Sequence, residues 1–218
     1  MLDVSNLCFS YGRQQILSHV SFSLAAGEVG ALVGFNGAGK STLLRCIAGW
    51  AQPDSGQISV QNLSLQEERV YRRYVRFVPD SPDFFDELTA WEHLRFTAEL
   101  SRMKEWRAKA EALLSTQKLF DVRDRYPFTF SRGMKVKLAI CMALITTPAL
   151  LILDEPFGPL DPISAENLSE LLLAAQKEGH SILFSTHTIP EFIQPTHYLL
   201  LEDGRVTTHS SVKGCSCC

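Results

Sequence analysis

The fold is decided by one stretch of the sequence, Val29-Gly30-Ala31-Leu32-Val33-Gly34-Phe35-Asn36-Gly37-Ala38-Gly39-Lys40-Ser41. Its first five residues form a short apolar run, which is typical of a buried strand. The remaining eight fit the pattern GxxxxGK[ST], in which glycines let backbone N–H groups point at phosphate oxygens. A helical pattern follows, with apolar residues on one face between Leu43 and Ala48 until Gly49 stops it. This order of strand, glycine-rich loop and helix predicts a phosphate-binding loop.

The glycine-rich loop supplies the candidate nucleotide ligands. A helix begins with the positive end of its dipole, so the helix after the loop would add to the attraction for phosphate. Lys40 would reach the β- and γ-phosphates, and the Ser41 hydroxyl would bind Mg²⁺. Kinases, GTPases and motor proteins share such loops, so this one predicts nucleotide binding and leaves the reaction open. The candidate nucleotide-binding residues are Gly34, Phe35, Asn36, Gly37, Ala38, Gly39, Lys40, Ser41 and Thr42.

A second apolar run ends in two acids. Residues 150–153 are all leucine or isoleucine, and Asp154 and Glu155 follow them. A strand of an open α/β sheet delivers such carboxylates to its C-terminal edge, where nucleotides bind. We expect Asp154 to hold Mg²⁺ through water and Glu155 to be the general base that activates the attacking water. A strand that simply ends in solvated acids is the alternative, and the phosphate-binding loop makes it the weaker one.

The rest of the chain alternates between apolar runs and helical patterns. Residues 181–185 and 198–201 are typical of buried strands, whereas 2–11 and 20–24 alternate in part, as edge strands do. The stretch 89–119 is polar and contains neither glycine nor proline, which predicts a helical insert. Strands that alternate with helices predict the α/β class with a parallel sheet.

Composition and charge argue against a nucleic-acid-binding surface and against a membrane-spanning helix. The chain has 218 residues, of which 45% are hydrophobic, enough for the core of one domain with a smaller lobe. The net charge of −3 gives no hint of a nucleic-acid surface. A local basic patch around Arg72, Arg73 and Arg76 stays open, and a solvated face is the preferred interpretation of it. No run approaches the roughly 18 apolar residues of a membrane helix, and Asp3 lies where a signal peptide would be basic. We therefore expect a chain that is held at a membrane, if at all, by a partner.

The six cysteines form two groups. Cys8, Cys46 and Cys141 lie in apolar runs and are predicted to be small core residues in a reducing compartment. Cys215, Cys217 and Cys218 crowd the last four positions. A prenylation box is rejected because residues 216 and 217 are not aliphatic. Metal binding by the three thiolates stays open, and a frayed tail is the preferred interpretation.

Four further motifs lie in a defined order around the phosphate loop and the acids. Tyr11 precedes them, and Phe130-Ser131-Arg132-Gly133-Met134 comes about twenty residues before the acids. Gly158-Pro159-Leu160-Asp161 and Ser185-Thr186-His187 come after them. The series resembles the motifs of the ABC ATPase family: adenine-stacking aromatic, signature, D-loop and switch histidine. The resemblance covers almost the whole chain.

The resemblance implies a role for each motif. Tyr11 would stack on adenine, and His187 would contact the γ-phosphate, acting in catalysis with Glu155 and Lys40. The signature would bind the γ-phosphate of ATP held by a second subunit, which suits a serine and free amides that open a helix. The signature residues are Ser131, Arg132 and Gly133. The implied cofactors are ATP and Mg²⁺, and the implied reaction is ATP hydrolysis coupled to transport.

The resemblance also implies an architecture and partners. The fold would be a P-loop NTPase core with a parallel sheet, an antiparallel β edge and an inserted helical subdomain over about 89–140. The cassette would span 1–206, leaving 207–218 as a disordered tail. A homodimer or paired cassette would work with a transmembrane permease on a separate chain, at the inner face of the cell membrane. The signature variant favours export. A non-transport ABC ATPase is the alternative.

Three residues depart from the family pattern. Arg132 and Met134 replace the usual glycine and glutamine of the signature, and Asp80 replaces a glutamine that touches Mg²⁺. Asp80 keeps one oxygen ligand and stays a candidate metal residue with Ser41 and Asp154. In the loop after it, Phe84 and Phe85 are flanked by acids and follow no period. We expect at least one of these rings to be partly exposed, in a groove for a helix of the permease; two rings packed under the helical lobe is an equal alternative.

Overall fold

A computed structural model describes residues 1–210 and contains two sheets and six α-helices in that part of the chain. The strands are β1 (Leu2–Tyr11), β2 (Gln14–Leu24), β3 (Val29–Val33), β4 (Ser55–Val60), β5 (Leu63–Ser64), β6 (Val75–Val78), β7 (Leu150–Leu153), β8 (Ser181–Thr186), β9 (His197–Glu202) and β10 (Arg205–His209). The helices are α1 (Lys40–Ile47), α2 (Glu68–Tyr74), α3 (Ala90–Leu100), α4 (Trp106–Thr116), α5 (Arg132–Ile145) and α6 (Pro162–Lys177).

The central sheet has the order β10-β9-β3-β8-β7-β6. Its strands β9, β3, β8, β7 and β6 are parallel, and β10 pairs antiparallel with β9 at the edge. Every residue of β3, β7 and β8 is buried, which agrees with their prediction from continuous apolar runs. The predicted α/β fold with a parallel sheet and an antiparallel edge is confirmed.

Alternate residues of the central sheet face two separate cores. Leu32 and Leu183 pack in one core with α1 and with β1, β2 and β4. Ala31 and Phe184 pack in the other with α3, α4, α5 and α6. The second sheet, β2-β1-β4-β5, is antiparallel and covers the first core. The parallel sheet is therefore covered on both faces, as such sheets must be.

The predicted helical insert contains α3 and α4 and the beginning of α5. Thr89 caps α3 by accepting a hydrogen bond from the Glu92 amide, and the Glu92 carboxylate accepts one from the Thr89 amide. The Trp91 and Trp106 rings join α3 to α4 at 5.1 Å between centroids. The predicted end at residue 140 falls inside α5, because that helix continues to Ile145 as part of the core.

The C-terminal boundary also differs from the prediction. A disordered tail was expected from residue 207, but β10 continues to His209, with Thr207 opposite Leu200 of β9. Strand β10 was not predicted beyond Val206, because its remaining residues are polar. Cys215, Cys217 and Cys218 lie outside the described residues. Over residues 1–210, no helix has the length and apolar character that crossing a membrane requires.

Candidate nucleotide site at the carboxyl edge of the sheet

The phosphate-binding loop runs from the end of β3 into α1. Gly39 has φ 103°, a conformation that suits glycine, and it precedes Lys40 at the start of the helix. Gly34 has no room for a side chain, because a Cβ there would lie 2.6 Å from the Leu201 carbonyl oxygen. Among residues 1–210, no side chain caps α1. Its first amides are therefore available to a phosphate, as the sequence pattern predicts.

Lys40 is buried and held within this loop. Its Nζ donates to the Gly34 carbonyl oxygen at 2.7 Å and to the Phe35 carbonyl oxygen at 3.3 Å. The same Nζ lies 3.3 Å from Oε1 of Glu155. The ammonium group thus has a fixed position between the loop and the acids that follow β7. A phosphate oxygen placed here would meet a cation that is already oriented.

The acids after β7 are held by Ser185 of β8. The Ser185 hydroxyl donates to Oδ1 of the buried Asp154 at 2.7 Å and accepts from the Glu155 amide at 2.9 Å. Glu155 has φ 48°, which is the left-handed region and uncommon for a residue with a side chain. Such backbone conformations cluster at functional sites, where the surroundings enforce them. The serine therefore fixes both the metal candidate and the candidate base.

Glu155 is the meeting point of the three candidate catalytic residues. Its Oε1 faces Lys40, and its Oε2 lies 3.2 Å from Nδ1 of His187. His187 itself is mostly exposed at the end of β8. A carboxylate held between two such groups can accept a proton from a water molecule in the space beside them.

The oxygen atoms at this edge suit Mg²⁺. Ser41 offers a hydroxyl directly after Lys40, and Asp154 keeps Oδ2 free of the serine contact. Hydroxyl and carboxylate oxygens are the ligands that Mg²⁺ takes, usually with water and phosphate oxygens. Asp80, the third predicted metal ligand, is directed elsewhere: its carboxylate pairs with the Arg132 guanidinium. Ser41 thus belongs to the phosphate loop, and Asp154 directly precedes Glu155, which contacts Lys40 of that loop.

The signature residues form the N-terminus of α5. Ser131 is the cap, and its Oγ accepts a hydrogen bond from the Met134 amide at 3.2 Å. Gly133 lies against the D-loop, since a Cβ there would be 3.0 Å from both the Pro159 carbonyl oxygen and the Leu160 side chain. Only glycine fits that contact without displacing the loop.

Tyr11 and the loop after Asp80 place aromatic rings at the surface. Tyr11 is 53% exposed at the end of β1, with its ring edge-on to Phe9 at 4.9 Å. Phe85 is 57% exposed, whereas Phe84 is partly buried against the core. The prediction that at least one of the two phenylalanines is partly exposed is confirmed.

His93 of α3 is a residue that the sequence did not single out. It is buried, its Nε2 accepts from the Phe85 amide at 3.0 Å, and its Nδ1 lies 2.8 Å from the Thr89 carbonyl oxygen. These partners assign the proton to Nδ1. Burial lowers the pKa of His93, which outweighs the opposing influence of Thr89 and Glu92. A lone histidine in a helical pattern carried no signal for this contact.

The cysteine prediction is correct for two of three residues. Cys46 and Cys141 are buried, and burial raises the pKa of each thiol to about 12, so both stay protonated and inert. Cys8 is only half-buried, because it lies on the outward face of β1, between the buried Leu7 and Phe9. Its Sγ accepts from the His19 amide.

Comparison with known proteins agrees with this geometry. A family model described as ABC transporter matches residues 17–158. The chain is 37% identical over 193 residues to the ABC-type transporter ATP-binding protein EcsA of Bacillus subtilis (strain 168), covering 87% of this chain and 78% of that protein. It is 34% identical over 191 residues to the lantibiotic transport ATP-binding protein SrtF of Streptococcus pyogenes, covering 88% and 82%.

Solved structures give the same result. A structure described as the ATP-binding subunit of an ABC transporter superposes with a TM-score of 0.90 at 34% identity, covering 96% of this chain and 90% of that one. A dimeric post-hydrolysis state of the cassette MJ0796, bound to ADP and Pi, has a TM-score of 0.86 at 25% identity, covering 96% and 98%. The chain belongs to the ABC transporter family. Within it, the chain is an ATP-binding subunit of the kind that hydrolyses ATP to drive transport.

Proposed function

We propose that this chain powers export through a permease on a separate polypeptide, as one of two paired cassettes that hydrolyse ATP with Mg²⁺. One observation carries the catalytic part of the proposal. Glu155 is fixed at the edge of the sheet with Lys40 at 3.3 Å on one side and His187 at 3.2 Å on the other. This is where the γ-phosphate and the attacking water would meet if ATP lay along the phosphate loop.

The proposed roles follow from these positions. Lys40 binds the β- and γ-phosphates, Glu155 takes the proton of the attacking water, and His187 donates a hydrogen bond to the γ-phosphate. Ser41 and Asp154 hold Mg²⁺, whose charge offsets that of the phosphates. Tyr11 is free at the surface to stack on adenine.

Pairing of two cassettes is supported by the signature turn. Ser131 and the amides behind it form an anion site at the start of α5, on a different segment from the phosphate loop. A symmetric dimer would place the signature of each chain over the phosphate loop of the other, because a two-fold interface repeats each contact. The similarity to a cassette described as dimeric supports this arrangement.

A docking surface for the permease is proposed around Phe85. Its ring stacks on His93 at 6.0 Å and meets the half-exposed Phe96 edge-on at 5.7 Å. Asp83 and Asp86 flank the aromatic rings and are exposed. An exposed aromatic cluster with a charged rim is typical of a surface that receives an amphipathic helix. The permease would then hold the cassette at the inner face of the membrane.

The direction of transport rests on the signature variant alone. Ser131-Arg132-Gly133-Met134 resembles the variant of bacterial exporter cassettes, whereas relatives of this chain include a protein named for import. That protein is the sulfate/thiosulfate import ATP-binding protein CysA of Synechococcus elongatus. Export is therefore the proposal, with import as the outcome that would replace it.

Purification from membranes tests the whole proposal. Tagged chain extracted in mild detergent should bring with it a polypeptide that has several membrane spans, and the complex should hydrolyse ATP. Reconstitution of that complex in vesicles would give the direction. Full ATPase activity in the soluble fraction, with no membrane polypeptide attached, would favour a non-transport ABC ATPase. No hydrolysis by the complex or by the free chain would remove the catalytic assignment.

A further inference from the structure

Two residues that depart from the family pattern meet in the structure. Arg132 is the first residue of α5, and its Nη2 forms a hydrogen-bonded ion pair with Oδ1 of Asp80, in the loop after β6. The usual residues at both places are uncharged. Here the two substitutions carry opposite charges, and the contact joins the helix that carries the signature to the central sheet.

The signature turn is also held from a second loop. Gly133 packs against Pro159 and Leu160, which follow β7. Strands β6 and β7 are hydrogen-bonded neighbours, with Val78 opposite Leu153. Consecutive residues of the turn, 132 and 133, are therefore held by two adjacent loops at one edge of the sheet.

The Asp80 carboxylate can offset the positive charge of Arg132. A cation at the first position of a helix is unfavourable, because it lies at the positive end of the helix dipole. The Asp80 carboxylate offsets that charge and holds the guanidinium against the loop after β6. Both side chains are about half exposed, at 58% for Arg132 and 41% for Asp80. Exposed ion pairs add little stability, so we expect the effect of this one in the orientation of the signature turn and not in the stability of the fold.

We infer that Asp80 is a positioning residue for the signature turn, acting through Arg132, and that its principal task is not to ligate Mg²⁺. The pair sets the direction of Ser131 and of the first amides of α5 towards the phosphate that the second cassette brings. This inference rests on the proposed pairing of cassettes and deepens it.

Hydrogen exchange of the nucleotide-free chain tests the contact itself. Asp80→Asn and Arg132→Gln should each speed exchange of the amides at 132–135 by roughly threefold or more, a size typical of coupling between residues in contact. The exchanged pair Asp80→Arg with Arg132→Asp should restore the slow exchange. Arg95→Gln is the matched control, since Arg95 is as exposed as Arg132 and its ion pair, with Glu99, lies within the single helix α3.

ATP-dependent dimerisation tests the function of the contact. In a Glu155→Gln background, light scattering gives the ATP concentration at which half of the chain is dimeric. We expect each single substitution to raise that concentration roughly threefold or more, and the exchanged pair to bring it back towards the parent value. An arginine at position 80 has no oxygen for Mg²⁺, so recovery by the exchanged pair separates positioning from metal binding.

The outcomes separate this inference from the proposed function. An exchanged pair as defective as Asp80→Asn in both measurements would overturn the inference and return Asp80 to the metal site. Single variants equal to the parent chain and to Arg95→Gln would overturn it as well. A parent chain that does not dimerise with ATP would refute the proposed pairing, and the exchange measurement would still decide whether Asp80 holds the turn. Thermal midpoints within a degree or two of the parent would show that folding is not the cause.

Discussion

The phosphate loop and the signature turn are both helix N-termini, but they differ in their caps and in the charges beside them. At α1 the N-cap is Gly39, and no side chain in the described part of the chain bonds to the first amides of the helix. The buried Lys40 is the first residue of that helix. At α5 the Ser131 hydroxyl already accepts from the Met134 amide, and Arg132 is neutralised by a surface carboxylate. The first amides of α1 are therefore available to a ligand, in a site that residues of the same chain surround. At the signature turn one amide is already paired within the chain, and the turn is exposed. We therefore propose that the first helix end binds the nucleotide of its own chain and that the second contacts the nucleotide of a second cassette.

Loss of the Glu155 carboxylate should have the largest effect on this comparison. Glu155→Gln keeps the contact with Lys40 in shape but cannot take a proton, so turnover should fall by about two or more decades while ATP still binds. Steady-state ATPase assays and nucleotide-binding titrations measure the two quantities. Glu170→Gln, an exposed acid on α6, is the control. Wild-type turnover in Glu155→Gln would remove Glu155 from the role of base.

Mixing two inactive chains should show that the two helix ends work across a pair. Lys40→Ala destroys the enclosed site and Ser131→Arg the exposed one, so each chain alone should be nearly inactive. A mixed dimer keeps one intact composite site, and an equal mixture should therefore recover up to about a quarter of wild-type activity, if subunits assort at random. A mixture that stays inactive, or a verified monomer with full specific activity, would contradict the composite site.

Substitution of Tyr11 should have a smaller effect, confined to the affinity for ATP. Base stacking on an aromatic ring contributes about 1–3 kcal/mol, so Tyr11→Ala should weaken ATP binding by roughly five- to 150-fold. Tyr11→Phe and Tyr11→Trp keep a ring and should bind ATP as the wild type does. Fluorescence titration with a labelled nucleotide provides the affinities. Unchanged affinity in Tyr11→Ala would leave the ring with its contact to Phe9 alone.

The two adjacent phenylalanines give a matched pair for the docking surface. Phe85→Ser should lower membrane association in cells that hold the permease and leave the ATPase activity of the free chain within about twofold, because the exposed ring contributes little to folding. Phe84→Ser should instead lower the thermal midpoint, since Phe84 packs against the core. Flotation of membranes and thermal unfolding measure these outcomes. Destabilisation by both substitutions would mean that Phe85 is structural too.

The smallest expected effect is a pH dependence of folding stability that arises from His93. Its pKa in the folded state is lowered by burial, so folding favours the neutral ring. The stabilisation is complete above the pKa of the unfolded state, near 6.5, and decreases as the pH falls through that value towards the folded pKa. His93→Gln keeps an acceptor for the Phe85 amide and cannot be protonated. Denaturant midpoints between pH 8 and 5 should therefore fall less steeply in His93→Gln than in the wild type.

Sequence reasoning located the enclosed site better than the exposed one. Strands β3 and β7 are continuous apolar runs that end in a motif, so their positions could be predicted, whereas the chemistry of the two motifs stays a prediction. Strand β6 could not, because Arg76 and Phe77 lie half-buried in its middle and break any period. The contact of Asp80 with Arg132 joins residues far apart in the chain, and no local pattern encodes it. The one available signal was the opposite charge of two unusual residues.

The order of the central sheet has a consequence for synthesis of the chain. The phosphate loop leaves β3, whose neighbours on both sides, β8 and β9, lie near the other end of the sequence, with Val29 opposite Ile182 and Gly30 opposite His197. A ribosome that has made the loop must continue for most of the chain before either partner strand exists, and such distant pairings form slowly. A truncated chain that ends before β8 would carry every residue of the phosphate loop without the strands that hold it in shape. Nucleotide binding during translation should therefore appear abruptly and late, which makes it a reporter of completed folding.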